Sequence, residues 1–216
     1  MDDSNRVEQL KEAYENDVIE TLEEELDDEL QVALNTSDTL GRQLWMSESK
    51  SEKPDPSELR PVDGEMHLPV KPKGGMWTST YTPQNEYDSD WICWCSSEGF
   101  YGGRHKWLLE SSDNLDVLVV DSLEDLQNIA KVYEKETYKE TPSSSLRSTS
   151  LAFEQIALDF DAMRLTENGQ KETRFTPINE PDLHGWDSEC VLNFGWNWTS
   201  VEYLEKCDLT PRAAQF

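Results

Sequence analysis

Two short stretches of the chain hold the side chains best suited to chemistry. Trp77-Thr78-Ser79-Thr80 follows the turn-forming Pro72-Lys73-Gly74-Gly75. An indole followed by hydroxyls on a strand can stack a planar ring and hydrogen-bond a ribose or an amide. Trp186-Asp187-Ser188-Glu189 leads into the apolar run Cys190-Val191-Leu192. A carboxylate at a strand start, beside a tryptophan, can stabilise a developing cation or take a hydroxyl proton. Each stretch also has an ordinary use. Trp77 can be core, Ser79 and Thr80 strand surface, and Asp187 and Glu189 merely two of 45 acids.

Common enzyme signatures are absent from the sequence. It has no phosphate-binding Gly-x4-Gly-Lys-Ser/Thr, no Gly-x-Gly-x-x-Gly and no Gly-x-Ser-x-Gly elbow. The three histidines, His67, His105 and His184, are far apart and suggest neither a serine hydrolase nor a histidine metal site. Asp159-x-Asp161 is a weak metal pattern in so acidic a chain, and no metal is expected. Cys93, Cys95, Cys190 and Cys207 are too few for a disulfide scaffold at this length. Cys93-Trp94-Cys95 has one intervening residue where zinc and redox motifs usually have two, so all four read as reduced, mostly buried thiols.

The charge limits the partners. Over 216 residues, 19 basic and 45 acidic side chains give a formal net charge of −26. Nucleic-acid binding needs clustered Lys and Arg, and anionic membrane surfaces attract the same residues, so neither is expected. No apolar run approaches the roughly 18–20 residues of a spanning helix, and the acidic start Met1-Asp2-Asp3-Ser4 does not read as a signal peptide. Eight Trp, seven Tyr and six Phe argue against a disordered acidic chain. Dense carboxylates with little lysine suit a surface kept soluble in high salt. The source reads as a halophilic microbe or its virus, placing the protein in a high-salt cytosol or a virion. An ordinary acidic cytosolic protein is the plainer alternative.

Residues 1–36 form a separate part in this reading. Val7, Leu10, Tyr14, Val18, Leu22, Leu26, Leu30 and Ala33 fall near helical spacing on an otherwise acidic stretch. Residues 1–30 carry 13 acids and two bases. Such an amphipathic helix either caps its own domain or serves as a docking or self-association arm. Residues 37–216 read as an α+β domain. Strands are expected at Leu40–Met46, Met76–Tyr81, Leu115–Val120, Phe160–Leu165 and Glu189–Phe194. Helices are expected from Ser89, from Ser122 to Tyr133, over Leu151–Leu158 and over Thr199–Lys206. Thr166–His184 reads as loop, with Asn168-Gly169 as a hairpin turn.

One resemblance adds to this. Lys71-Pro72-Lys73-Gly74-Gly75-Met76-Trp77-Thr78-Ser79, Trp91 to Cys95, Phe160-Asp161-Ala162-Met163 and Gly185-Trp186-Asp187-Ser188-Glu189 stand in order. The series resembles a family of small phage-encoded and microbial proteins with the patterns Lys-Pro-x-Gly-Leu-Trp-x-Ser, Trp-x-x-Trp-Cys, Tyr-Asp-Gly-Ile-Glu and Trp-Asp-x-x-Ser-Gly. That family is associated with the ADP-ribosyltransferase-like fold, a split β-sandwich that holds NAD in a cleft. The resemblance spans about residues 40–206. It implies that Glu189 is the catalytic acid with Asp187 as helper, and that Trp77, Thr78, Ser79 and Thr80 line the nicotinamide pocket. Arg42 or Arg60 would meet the pyrophosphate. Two positions depart from the pattern: Met46 stands where a basic residue is expected, and Arg164 where an acid is. The expectation is therefore an ADP-ribosyltransferase-like protein transferring ADP-ribose from NAD, or a non-catalytic docking or virion protein on the same fold.

Overall fold

Short apolar strands, whose alternate side chains are buried on opposite faces, build the middle of the sheet. The computed structural model describes residues 32–64, 66–68, 71–100, 103–133, 151–177 and 180–207. Contacts divide the chain into Met1–Ala33 and Leu34–Phe216. The expected amphipathic helix lies almost wholly outside the described residues. Residues 32–35 carry no helix, and Thr36, placed in the arm by the sequence, already belongs to the first strand.

In chain order the strands begin with β1 (Thr36–Ser37), β2 (Arg42–Ser47), β3 (Met66–Leu68), β4 (Lys71–Pro72) and β5 (Met76–Thr80). Helix α1 (Asp90–Glu98) and strands β6 (His105–Ser111) and β7 (Val117–Val120) follow. Next come α2 (Leu123–Tyr133), α3 (Phe153–Asp159), β8 (Ala162–Leu165), α4 (Glu167–Thr173), β9 (Cys190–Asn193) and β10 (Trp198–Lys206). Eight strands form one mixed sheet in the order β1-β7-β8-β9-β5-β2-β6-β10, and β3 pairs with β4 alone. Neighbours are antiparallel except β7 and β8, which run parallel and are joined through α2 and α3. The α+β class is thus realised.

Strand β5 is shared by two halves of the sheet. Its first part pairs with β9, Met76 opposite Asn193 and Thr78 opposite Val191. Its last part pairs with β2, Thr80 opposite Gln43 and Ser79 opposite Leu44. A buried polar chain fastens this change of partner. The Asn193 side-chain amide donates to the Met76 carbonyl at 2.9 Å and to Thr78 Oγ1 at 3.1 Å. Thr78 in turn donates to Gln43 Oε1 at 3.2 Å, and Gln43 Nε2 donates to the Leu40 carbonyl at 2.8 Å. Buried polar groups are costly unless paired, so this chain selects one register at the junction.

Alternation also divides the core. Leu118 and Val120 of β7, Met163 and Leu165 of β8, and Cys190 and Leu192 of β9 face α2 and α3, with Leu126, Ile129, Phe153, Ile156 and Trp186. Val117, Ala162 and Val191, the alternate positions, join Met76, Leu109 and Trp198 in a second cluster. A third cluster seats α1 on Leu44 and Leu108 through Ile92 and Cys95.

Helix ends follow local chemistry. The Ser89 hydroxyl caps α1 by accepting from the Ile92 amide, and Gly99, with φ 64°, ends it in the left-handed conformation. The stop comes before Tyr101-Gly102-Gly103, where the sequence alone sets it. Ser122 and Asp125 form the expected capping pair of α2, at 3.1 Å from the Asp125 amide to the Ser122 hydroxyl.

Two expectations are overturned, and one strand has no sequence signal behind it. Glu167–Thr173 is helix α4, not a loop with a hairpin turn. The Thr166 hydroxyl caps it by accepting from the Gly169 amide at 3.0 Å. Gly169 serves close approach: a Cβ there would stand 2.1 Å from the Val120 carbonyl oxygen. Trp198–Lys206 is a strand rather than a closing helix. Its Thr, Val and Tyr suit a pleated surface, and pairing with β6 overrides the short helical pattern. Strand β6 has no counterpart in the sequence reading, yet it holds β2 and β10 together.

Candidate functional site

Glu189 enters the site from the residue before β9 and is buried. Its Oε2 accepts from the Ser79 hydroxyl at 2.9 Å and from the Thr80 amide at 2.9 Å. Its Oε1 accepts from the Thr80 hydroxyl at 2.6 Å. Arg164 of β8 brings Nε to 3.6 Å from Oε1. Both hydroxyls are aimed by further donors. The Trp91 amide of α1 donates to Ser79 Oγ at 3.4 Å, and Gln43 Nε2 donates to Thr80 Oγ1 at 3.3 Å. The carboxylate therefore joins the end of β5, the start of β9, strand β8 and, through one serine, the first turn of α1.

Beside it lies a cavity of about 330 Å³ walled by Trp45, Trp77, Trp91, Phe100, Lys71 and Asp187, with Thr78, Met46, Ser188 and Cys190 also contributing. Its size falls at the lower end of the range for small-molecule sites, about 300–1,000 Å³. Four of its lining residues are aromatic. Trp77 meets Trp186 edge-on at 4.7 Å between centroids, and Trp91 stacks on Trp94 at 5.1 Å. The Lys71 ammonium stands 4.6 Å from the Trp77 ring centroid. Asp187, a cavity residue, binds Arg174 Nη2 at 3.0 Å. Cys190 is buried, and its thiol is pushed well above the ordinary range by burial and by Glu189 nearby.

The sequence-predicted residues thus separate into three groups. Glu189, Ser79 and Thr80 converge on one another through direct hydrogen bonds. Trp77, Thr78 and Asp187 share the cavity wall, while Glu189, between Ser188 and Cys190, is not part of it. Arg42 and Arg60 are elsewhere. The Arg42 guanidinium covers the Tyr81 ring at 4.9 Å, and exposed Arg60 offers its carbonyl to the Gly75 amide at 2.8 Å. Neither lines the cavity. Sequence reading gave no role to Lys71 or Trp45. Lys71 stands in a quoted motif six residues before Trp77, which was the available signal. Trp45 had none beyond alternation along its strand.

The two departures from the family pattern both land in this region. Met46 lines the cavity, and Arg164 sits on Glu189. Asp161, half of the Asp-x-Asp pattern, accepts from the Asp116 amide at 2.9 Å, and Asp159 accepts from the Tyr133 hydroxyl at 2.7 Å. Among the described residues no group of three or more His, Cys, Asp or Glu side chains is placed to hold a metal ion. Nor is any helix there long and apolar enough to cross a membrane. Cys95 and Cys190 are buried, Cys207 is half-buried and Cys93 is exposed.

The chain matches no protein-family model, no curated protein and no solved structure.

Proposed function

We propose that the chain is an ADP-ribosyltransferase-like protein whose aromatic cavity binds the nicotinamide end of NAD. The observation that carries the reading is the 2.9 Å hydrogen bond from Ser79 to Glu189, made beside a cavity lined by Trp45, Trp77 and Trp91. Hydroxyl, late carboxylate and indole wall come from distant parts of the sequence, as the motif resemblance requires. The sharing of β5 between two half-sheets is compatible with a split sandwich.

In this reading the two carboxylates do different work. Asp187 faces the cavity and is the group that would meet the ribose. When NAD reacts, nicotinamide leaves with the bonding electron pair, and a water or acceptor oxygen then bonds to the ribose carbon. Asp187 would stabilise the positive charge at that carbon and take the proton from the incoming oxygen. Glu189 is a positioning residue: it holds Ser79 and Thr80, and hence the wall that follows Trp77.

A second reading is a non-catalytic interaction or virion protein on the same fold. It is favoured by the coverage of Glu189, which already has three donors and Arg164, and by Met46 in the cavity wall. The acidic composition supports a high-salt setting for either reading, in a halophilic microbe or its virus. Incubation with labelled NAD in molar salt separates the two. Nicotinamide release that falls in Asp187→Asn supports transfer. No release and no rise in melting temperature with NAD leaves the interaction role.

A further inference from the structure

We propose that Lys71 reads an anion in this cavity, so that the site selects planar-ring ligands bearing a phosphate beside the ring over the same ring without one. The proposal rests on the nucleotide reading above and adds its charge selectivity. It also moves the phosphate contact away from Arg42 and Arg60, which lie off the cavity.

The placement of Lys71 is tightly built. β4 ends in the turn at Gly74 and Gly75, with φ 85° and 65°. A Cβ on Gly74 would meet the Pro61 carbonyl oxygen at 2.2 Å, and one on Gly75 would meet Leu192 Cδ1 at 2.5 Å. Only glycine fits this turn, and the turn fixes Lys71 against Trp77. The ammonium lies over the indole at 4.6 Å.

Among the described residues Lys71 has no carboxylate partner. Lys106, Arg164, Lys171 and Arg174 each pair with a carboxylate. Asp187 shares the cavity, and its Oδ1 pairs with Arg174 Nη2 at 3.0 Å rather than with Lys71. Among the described residues Lys71 is the one cation that lines the cavity.

Selectivity follows from what the ammonium does now. A neutral ring that approaches the covered face of Trp77 must displace Lys71 and lose its cation–π contact. A ring carrying a phosphate offers the displaced ammonium a charge-assisted hydrogen bond, which is stronger. The same displacement therefore opposes one ligand and favours the other.

Nicotinamide mononucleotide and nicotinamide riboside differ by that phosphate alone. Their affinities would be measured by titration calorimetry for wild type, Lys71→Met and Lys71→Arg, with melting curves verifying the fold. The expected result is about ten-fold or greater preference of wild type for the mononucleotide. That preference disappears in Lys71→Met and returns in Lys71→Arg. Equal binding of both ligands to wild type, or an equal loss of both in Lys71→Met, overturns the role of Lys71 while leaving the nucleotide reading intact. Binding of neither ligand by wild type overturns both.

Discussion

The Ser79 hydroxyl donates to the Glu189 carboxylate at 2.9 Å across 110 positions of sequence. With the amide and hydroxyl of Thr80, it makes this carboxylate the point where β5 and β9 are fastened below their last ladder contacts. Hydrogen bonds to a charged group contribute about 1.5–3 kcal/mol each when intact, and a removed partner leaves the others unsatisfied. Glu189→Ala should destabilise the protein by about 3–5 kcal/mol, as for other broken buried charge pairs. Glu189→Gln keeps one acceptor oxygen, and its amide can donate to Thr80, so its cost should be about 1–2 kcal/mol. Urea melts at fixed salt measure both. An alanine variant as stable as wild type would contradict the positioning role.

Gly169 makes a second, independent prediction. Its φ is ordinary, so nothing in its backbone conformation demands glycine, and in an exposed helix alanine would be the better residue. Here the Cβ would stand 2.1 Å from a backbone oxygen of β7. Gly169→Ala should therefore destabilise by about 2 kcal/mol or more, as overpacked cores do. Gly41 offers the control, since a Cβ there meets nothing within 4 Å although φ is 64°. Its alanine variant should lose only about 1 kcal/mol from left-handed strain. Chemical denaturation of both variants gives the comparison, and a neutral or stabilising Gly169→Ala would refute the close approach.

Alkaline stability should decline in a defined window. Burial alone would lower the Lys106 pKa, but the hydrogen bonds its ammonium donates to Asp88 at 2.5 Å and to Glu205 at 2.6 Å outweigh it and raise the value above 10.5. Burial, then the hydrogen bond to Asp159, pushes Tyr133 from 10.0 up to about 12. Burial first, then Cys207, raises Cys95 from 9.0 to about 12. Each folded pKa exceeds its unfolded value. The stability they contribute is complete below about pH 9 and is lost as pH climbs toward 12. Tyr133→Phe removes one of these groups, so its urea midpoint should fall less than that of wild type between pH 10 and 12. Parallel decline of the two proteins would contradict the assignment.

The parts of this fold legible in the sequence were those written locally. Ser89 before Asp90-Trp91-Ile92, and Ser122 three residues before Asp125, set helix starts by hydrogen bonds within one turn. Val117-Leu118-Val119-Val120 is β-branched at three of its four positions. The failures came where a distant strand decides. Asn168-Gly169 carries a turn signal, but its glycine answers to the Val120 carbonyl, which no local pattern reveals. Thr199–Lys206 tolerates either period and becomes a strand because β6 offers an edge. In the site, order of motifs brought Glu189 together with Ser79 and Thr80. It did not show that Glu189 sits off the cavity wall while Asp187 lies on it, nor that Arg164 would cover the carboxylate.

On the proposed reading, the cavity walled by Trp45, Trp77 and Trp91 takes NAD. Calorimetric titration of NAD into the protein in molar salt tests it most directly, with Trp77→Leu as the comparison. Saturable one-to-one binding, weakened at least ten-fold in the variant, is the result expected. Absence of binding at millimolar NAD, or equal affinity for wild type and variant with the fold intact, would contradict the account.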